Sequence, residues 1–207
     1  MQVADWGRRS YRQSWDDQLQ VLGAVQSGTQ PDTLIFVEHD PVLTLGASFH
    51  PENLLLSPEA YAERGIAIEK TDRGGDVTYH GPGQLTIYPI FDLQNHGRDL
   101  HRWMRDLEQT MMLVAIQFAL TPRRFAPHTG VWIGDRKLAA IGVKIKRWVS
   151  LHGIALNVNN PLHEFDLIVP CGIQGYGVTS LAEELGREVS LEEAKAATLT
   201  AFQSVFG

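Results

Sequence analysis

The chain has 207 residues, 43% hydrophobic and 20% charged, with a formal net charge of -6, and this acidic balance argues against a general nucleic-acid or anionic-membrane binder. A single cysteine excludes an internal disulfide and a multi-cysteine metal site. No stretch approaches the ~20 apolar residues of a membrane span, and the N-terminus has no apolar run like a signal peptide, so a cytoplasmic protein without membrane or nucleic-acid partners is expected.

Length sets a soft prior of about one domain. No repeat, low-complexity tract or linker divides residues 1–207, which are read as one catalytic-size domain. Tyr11, Trp15, Leu19, Leu22 and Val25 stand at helical spacing and predict a helix over 11–26, stopped at Gly28. Short apolar runs at 34–37 and 42–45, separated by Glu38-His39-Asp40-Pro41, predict two strands. Ser57-Pro58 starts a short helix that ends at Gly65, and a strand follows at 66–68.

Residues 73–85 read Arg-Gly-Gly-Asp-Val-Thr-Tyr-His-Gly-Pro-Gly-Gln-Leu. Such a glycine density lets backbone take positive φ and lets a ligand approach it closely. Strands are predicted at 77–80 and 84–90 around a tight Gly81-Pro82-Gly83 turn, which by itself reads as a decorated hairpin.

A long helix is predicted from Asp99 to about Leu120, with an apolar stripe of Leu100, Trp103, Leu107, Met111, Val114 and Phe118. Met104, Met111 and Met112 read as core packing, and 121–128 as an exposed loop. Residues 131–133 and 138–145 form a hairpin around Gly134-Asp135, and 149–158 a further strand. Ser180 with Glu183 and Ser190 with Glu193 are capping boxes that start two helices. Strands in the middle and helices at both ends define an α+β class with a mixed or antiparallel sheet.

Cys171 is by default a small buried hydrophobe, but Pro170 before it and Gly172 after it place it on a turn where a thiol is reachable. A nucleophilic cysteine is a thiolate and needs a nearby positive charge or base. Strand alternation puts Lys137 on the apolar face with Ala139, Ile141, Val143 and Ile145, and Lys144 and Lys146 on the other face with Ala140 and Gly142. A single bulge inverts that phase, and a hairpin lysine snorkelling to water is the alternative. The cluster Lys144-Ile145-Lys146-Arg147 reads as a solvated strand face or a dock for an acidic partner. His80 and His152 lack metal-ligand spacing and read as orienting or structural groups. The glycine loop lacks the Gly-Lys-Ser/Thr of a phosphate cradle.

Taken together, these residues resemble the lipoyl(octanoyl) transferases. The likeness rests on Glu38-His39-x-Pro41-Val42, Arg73-Gly74-Gly75 with 78–85, Gly130-Val131-Trp132, Lys137 with 140–142, His152-Gly153-x-Ala155-Leu156-Asn157, Pro170-Cys171-Gly172 and Thr179-Ser180-Leu181. It implies a central mixed sheet flanked by helices, the fold of biotin and lipoate ligase catalytic domains. It implies transfer of an octanoyl or lipoyl group from acyl carrier protein to a lysine of lipoyl domains, those of 2-oxoacid dehydrogenase complexes and of glycine cleavage H protein.

By the same resemblance Cys171 holds the acyl group as a thioester, while Lys137 lowers the cysteine pKa and shuttles protons. Substrate contacts fall on Arg73, Gly74, Gly75, Asp76, Val77, Thr78, Tyr79 and His80, on Ala140, Ile141 and Gly142, and on Gly153, Ile154 and Ala155. His152 supports them. Ala140 and Gly142 lie opposite Lys137 in ideal phase, so backbone contacts or a local bulge are expected there, and the small residues Ala139, Ala140 and Gly142 are expected to leave room for the tail. Thioester exchange is nearly balanced and thioester-to-amide transfer runs downhill, so neither ATP nor a cofactor or metal is required. An ATP-dependent ligase on the same fold is the rival enzyme, and a non-catalytic carrier-binding module the rival of another class. The Pro-Cys-Gly turn and the retention of both Cys171 and Lys137 argue against each.

Overall fold

The computed structural model describes residues 1–169 and 176–207, so the Pro170-Cys171-Gly172 turn lies outside the described residues. Strand β1 (Gln2–Arg9) leads into helix α1 (Tyr11–Gln26), whose N-cap Ser10 accepts from the amide of Gln13. Strands β2 (Thr33–His39) and β3 (Val42–Leu45), helix α2 (Pro58–Glu63), and strands β4 (Ala67–Lys70), β5 (Val77–His80) and β6 (Gln84–Ile90) follow. Helix α3 (Leu100–Gln117) is capped by Asp99, and after it come β7 (Pro122–Phe125), β8 (His128–Ile133), β9 (Arg136–Lys146) and β10 (Val149–Asn157). Strand β11 (Gly177–Val178) and helices α4 (Leu181–Leu185) and α5 (Leu191–Phe206) close the chain.

The large mixed sheet runs β1-β2-β6-β10-β9-β8-β7, with β11 added parallel to β9, and the small one runs β4-β3-β5. One face of the large sheet carries Leu85, Ile87, Ile154 and Leu156 against Trp103, Leu107 and Met111 of α3 and Phe202 of α5. The other carries Ile35, Val37, Tyr88 and Ile90 against Leu22 and Val25 of α1. Tyr61, Val77, Tyr79 and Phe165 gather around the small sheet. Among the described residues, no helix is long and apolar enough to cross a membrane.

Several sequence expectations change. The glycine-rich stretch is not a hairpin. The Gly81 turn closes with a 3.1 Å bond from the Gln84 amide, but β5 pairs with β3 in the small sheet while β6 lies between β2 and β10 in the large one. The turn therefore joins two sheets, and Gly83, at φ +83°, sits where a Cβ would lie 2.7 Å from the Asn160 amide. β1 has no alternating apolar pattern to announce it and is an edge strand held by parallel pairing with β2. Residues 121–128 contain β7 instead of a bare loop.

Leu19 and Leu100 of the two predicted stripes are exposed, while Ser14 and Gln18 are buried. Ser190 and Glu193 close a full capping box, whereas at Ser180 only the bond from the Glu183 amide to the serine hydroxyl is made, and Glu184 accepts from the Thr179 hydroxyl.

Candidate active site

The decisive local feature is a bulge on β9. Val131 pairs with Ala139 and Trp132 with Lys137, so Leu138 is an extra residue on the β9 side. Two residues facing one invert the side-chain phase beyond that point. Ala139, Ile141, Val143 and Ile145 consequently pack toward α3 and α5, while Lys137 joins Ala140 in a small cavity with Thr78, Gln84, Ala155 and Asn157. The shared face drawn for Lys137 from ideal alternation is thus corrected, and the local bulge expected near Ala140 is present. Lys137 is 9% exposed, and its ammonium stands 4.9 Å from the ring centroid of Trp132.

Three cavities meet at Ala140. An outer one of about 590 Å³ follows β9 where it outruns its pairing with β8, lined by residues 140–145, Lys137, Gly74, Gly75, and Leu100 and Met104 of α3. Met104 is therefore a cavity residue rather than core. An inner chamber of about 50 Å³ is lined by Arg73, Gly74, Gly75, Thr78 and His80, by 140–142, by His152 with 153–155, and by Tyr11, Thr86 and Tyr88. The cavity of about 20 Å³ that holds Lys137 joins them.

The structure thus gathers most of the sequence-predicted residues around one space. Three turn elsewhere. Val77 and Tyr79 belong to the core of the small sheet, and Asp76 accepts from the amides of His50 and Val77 and from Asn53, which fixes the 50–53 turn. Arg73 contacts the chamber but spends its guanidinium on Thr44 and on the carbonyls of Gly74 and Asp76, pinning the glycine loop to β3.

Glycine serves close approach here more than space. A Cβ at Gly142 would lie 2.8 Å from the Gly74 carbonyl, and one at Gly153 only 2.1 Å from the Ile87 carbonyl. Ala139 packs in the core, Gly142 lines the outer cavity and the inner chamber with its Cβ side closed by the Gly74 carbonyl, and Ala140 alone of the three small residues opens onto all the cavities.

The inner chamber ends in a polar group that adds Tyr11, Asp72 and Gln18, which sequence reasoning left out, to the histidines read as orienting or structural. Tyr11, from the first turn of α1, meets Nδ1 of His152 at 3.1 Å, and Nε2 of His152 meets Asp72 at 2.8 Å. A carboxylate only accepts, so Nε2 carries the proton and the tyrosine hydroxyl donates to Nδ1. His152 adopts φ 60° within β10, a conformation rare for a non-glycine residue, and its amide donates to Gln18 of α1. His80 donates from Nδ1 to Gln84 Oε1 at 2.7 Å, and His39 accepts at Nε2 from Tyr88 at 2.7 Å. The pattern Tyr11-x-x-x-Trp15 gave no sign of this role, because a helix-start tyrosine is ordinarily core.

Burial holds the histidines neutral. It pushes His39 down to about 4 and His80 down to about 3, the latter helped by repulsion from His39 and Arg73; His152 is also lowered by burial, against the pull of Asp72. In the unfolded chain they protonate near the ordinary value of 6.5. Below that pH the unfolded state binds more protons, so the contribution of His39 and His80 to stability is complete above about 6.5 and is lost as pH falls toward 4, at about 1.4 kcal/mol per pH unit for each of the two. Thermal unfolding from pH 7.5 to 5 should therefore show a steadily falling Tm, with a shallower slope in His39→Gln. A Tm unchanged over that range would contradict the neutral cluster. Among the described residues, no group of three or more His, Cys, Asp or Glu side chains is placed to hold a metal ion.

The site is thus a set of adjoining cavities on the mixed sheet with a buried lysine amine at their edge, and comparison with known proteins gives the class. The chain belongs to the lipoyl protein ligase A/B catalytic domain family, whose description matches residues 10–203. An octanoyltransferase of Chloroflexus aurantiacus is 45% identical over 203 residues, covering 97% of this chain and 91% of the relative. One of Flavobacterium psychrophilum is 42% identical over 223 residues, covering 100% and 96%.

Among solved structures, lipoate-protein ligase A bound with ATP superposes with a TM-score of 0.77 at 15% identity, covering 99% of this chain and 84% of that one. A bipartite lipoate protein ligase of Thermoplasma acidophilum, studied with its E2 lipoyl domain, gives 0.74 at 15%, covering 99% and 82%. These structures share the fold, and the curated relatives make the chain an acyltransferase of protein lipoylation.

Proposed function

We infer that the enzyme moves an octanoyl group from acyl carrier protein to a lysine of a lipoyl domain, in the cytoplasm and without ATP, through a thioester on Cys171. The acceptors are the lipoyl domains of 2-oxoacid dehydrogenase complexes and the glycine cleavage H protein. The observation that carries the reading is the cavity system meeting at Ala140, with the Lys137 amine buried at its side and Lys144 exposed on the outer cavity alone. Position of the flanking chain supports a partnership of Cys171 with Lys137. Val169 is tied to Asn53, and after the cysteine segment Val178 pairs with Lys137 while the Thr179 amide donates to the Lys137 carbonyl at 3.0 Å.

In the first half-reaction the Cys171 thiolate attacks the octanoyl thioester carbonyl, the new C–S bond forms, and the carrier thiolate leaves and takes a proton from Lys137. In the second, the acceptor amine attacks the enzyme thioester, Cys171 leaves as thiolate, and Lys137 as free amine takes the proton released when the amide forms. Burying a saturated tail at about 0.8 kcal/mol per methylene supplies several kcal/mol of binding. Ala140 stands at the junction through which that tail passes. Ala140→Leu should therefore shift the preference toward shorter acyl donors in an ATP-free transfer assay to a lipoyl domain. Equal losses on short and long chains, or transfer that requires ATP, would overturn this reading.

A further inference from the structure

A fourth cavity, of about 470 Å³, opens beside the outer one and shares Met104, Pro127, His128 and Thr129 with it. Its own wall is basic and rests on a buried carboxylate. Glu108 of α3 is 3% exposed and accepts from Arg105 at 2.7 Å, Arg124 at 3.0 Å and the Gly130 amide at 3.2 Å. Two guanidiniums on one carboxylate leave net positive charge, and the Arg105 and Arg124 side chains remain 63% and 34% exposed beside His101. The setting is basic as well. Residues 98–147 hold ten Lys or Arg against four Asp or Glu, a net +6 in a chain whose total is -6, so the remainder carries -12.

We propose that this cavity is an anion subsite of the acyl donor, taking the phosphate of its phosphopantetheine arm, while the arm crosses the shared wall toward Lys137. The proposal rests on the acyl-carrier reading given above. A guanidinium matches phosphate oxygens in planar, paired hydrogen bonds, and one already held by a carboxylate loses little freedom on binding. Arg124 lies on β7, two strands from β9, or about 10 Å across the sheet at normal strand spacing. A phosphate there and a sulfur near Lys137 need an extended linker between them, which is what a pantetheine arm provides.

The test compares octanoyl-pantetheine, which lacks the phosphate, with octanoyl-phosphopantetheine and octanoyl-acyl carrier protein. Arg105→Gln should raise KM for both phosphate-bearing donors by about tenfold relative to the phosphate-free one, the scale of a lost charge-assisted pair. Arg124→Lys, which keeps a cation beside Glu108, should move the same ratio less. Tm measurements on both variants separate folding from binding. An unchanged ratio overturns the subsite, and an effect confined to the intact carrier assigns the arginines to the carrier's surface and equally overturns it. Transfer from octanoyl-pantetheine by wild type would keep the acyl-donor reading standing in either case, whereas failure with all three donors would remove both.

Discussion

Lys137→Ala is expected to slow both half-reactions, each by about 10²–10⁴-fold, the range general acid–base groups contribute. The lysine has two duties in the proposed chemistry: a positive charge that favours the Cys171 thiolate, and a proton that comes and goes. Alanine removes both and should raise the pH at which iodoacetamide alkylates Cys171. Arginine separates the duties. Its guanidinium keeps the charge and stacks on an indole as Lys137 does on Trp132, 4.9 Å away, but it does not deprotonate.

Lys137→Arg should therefore still form the acyl-enzyme and should stall when the acceptor amine attacks. Single-turnover acylation and deacylation rates check this directly. Lys144, exposed on the same side of β9 beyond the bulge, is the control. If Lys144→Ala lost transfer while Lys137→Ala turned over normally, the role given to Lys137 would be wrong.

Much of the site was legible because its residues carry their own chemistry. The 73–85 stretch announced itself through glycines, and β5 and β6 run over the predicted residues. What the strands pair with was not legible, because a three-residue turn has the same sequence whether it folds a hairpin or passes the chain between sheets. Lys137 shows a different limit. Alternation put it on the core face with Ala139, and one extra residue at Leu138 moved it to the cavity, a shift that no residue type marks.

The polar floor of the inner chamber was legible only in part, for a third reason. His152 was legible as a supporting group, but its partners were not: Tyr11 and Gln18 of α1 lie more than 130 residues away and meet it only when α1 packs across β10, while Gln18, fully buried, occupies a helix position that reads as surface.

The second large effect belongs to Cys171. It is the only thiol in the chain, so any thioester the enzyme forms on itself must be there. A hydroxyl is a far weaker nucleophile than a thiolate at neutral pH, and a methyl group is none. Cys171→Ser is therefore expected to lose transfer almost wholly and Cys171→Ala completely, with the Tm of neither changed greatly if the side chain serves chemistry and not packing. The direct measurement is intact-protein mass after incubation with octanoyl-acyl carrier protein alone. One added octanoyl group without ATP, released by hydroxylamine and absent from Cys171→Ala, is the predicted result. An adduct that requires ATP, or one that persists in Cys171→Ala, would contradict the thioester mechanism.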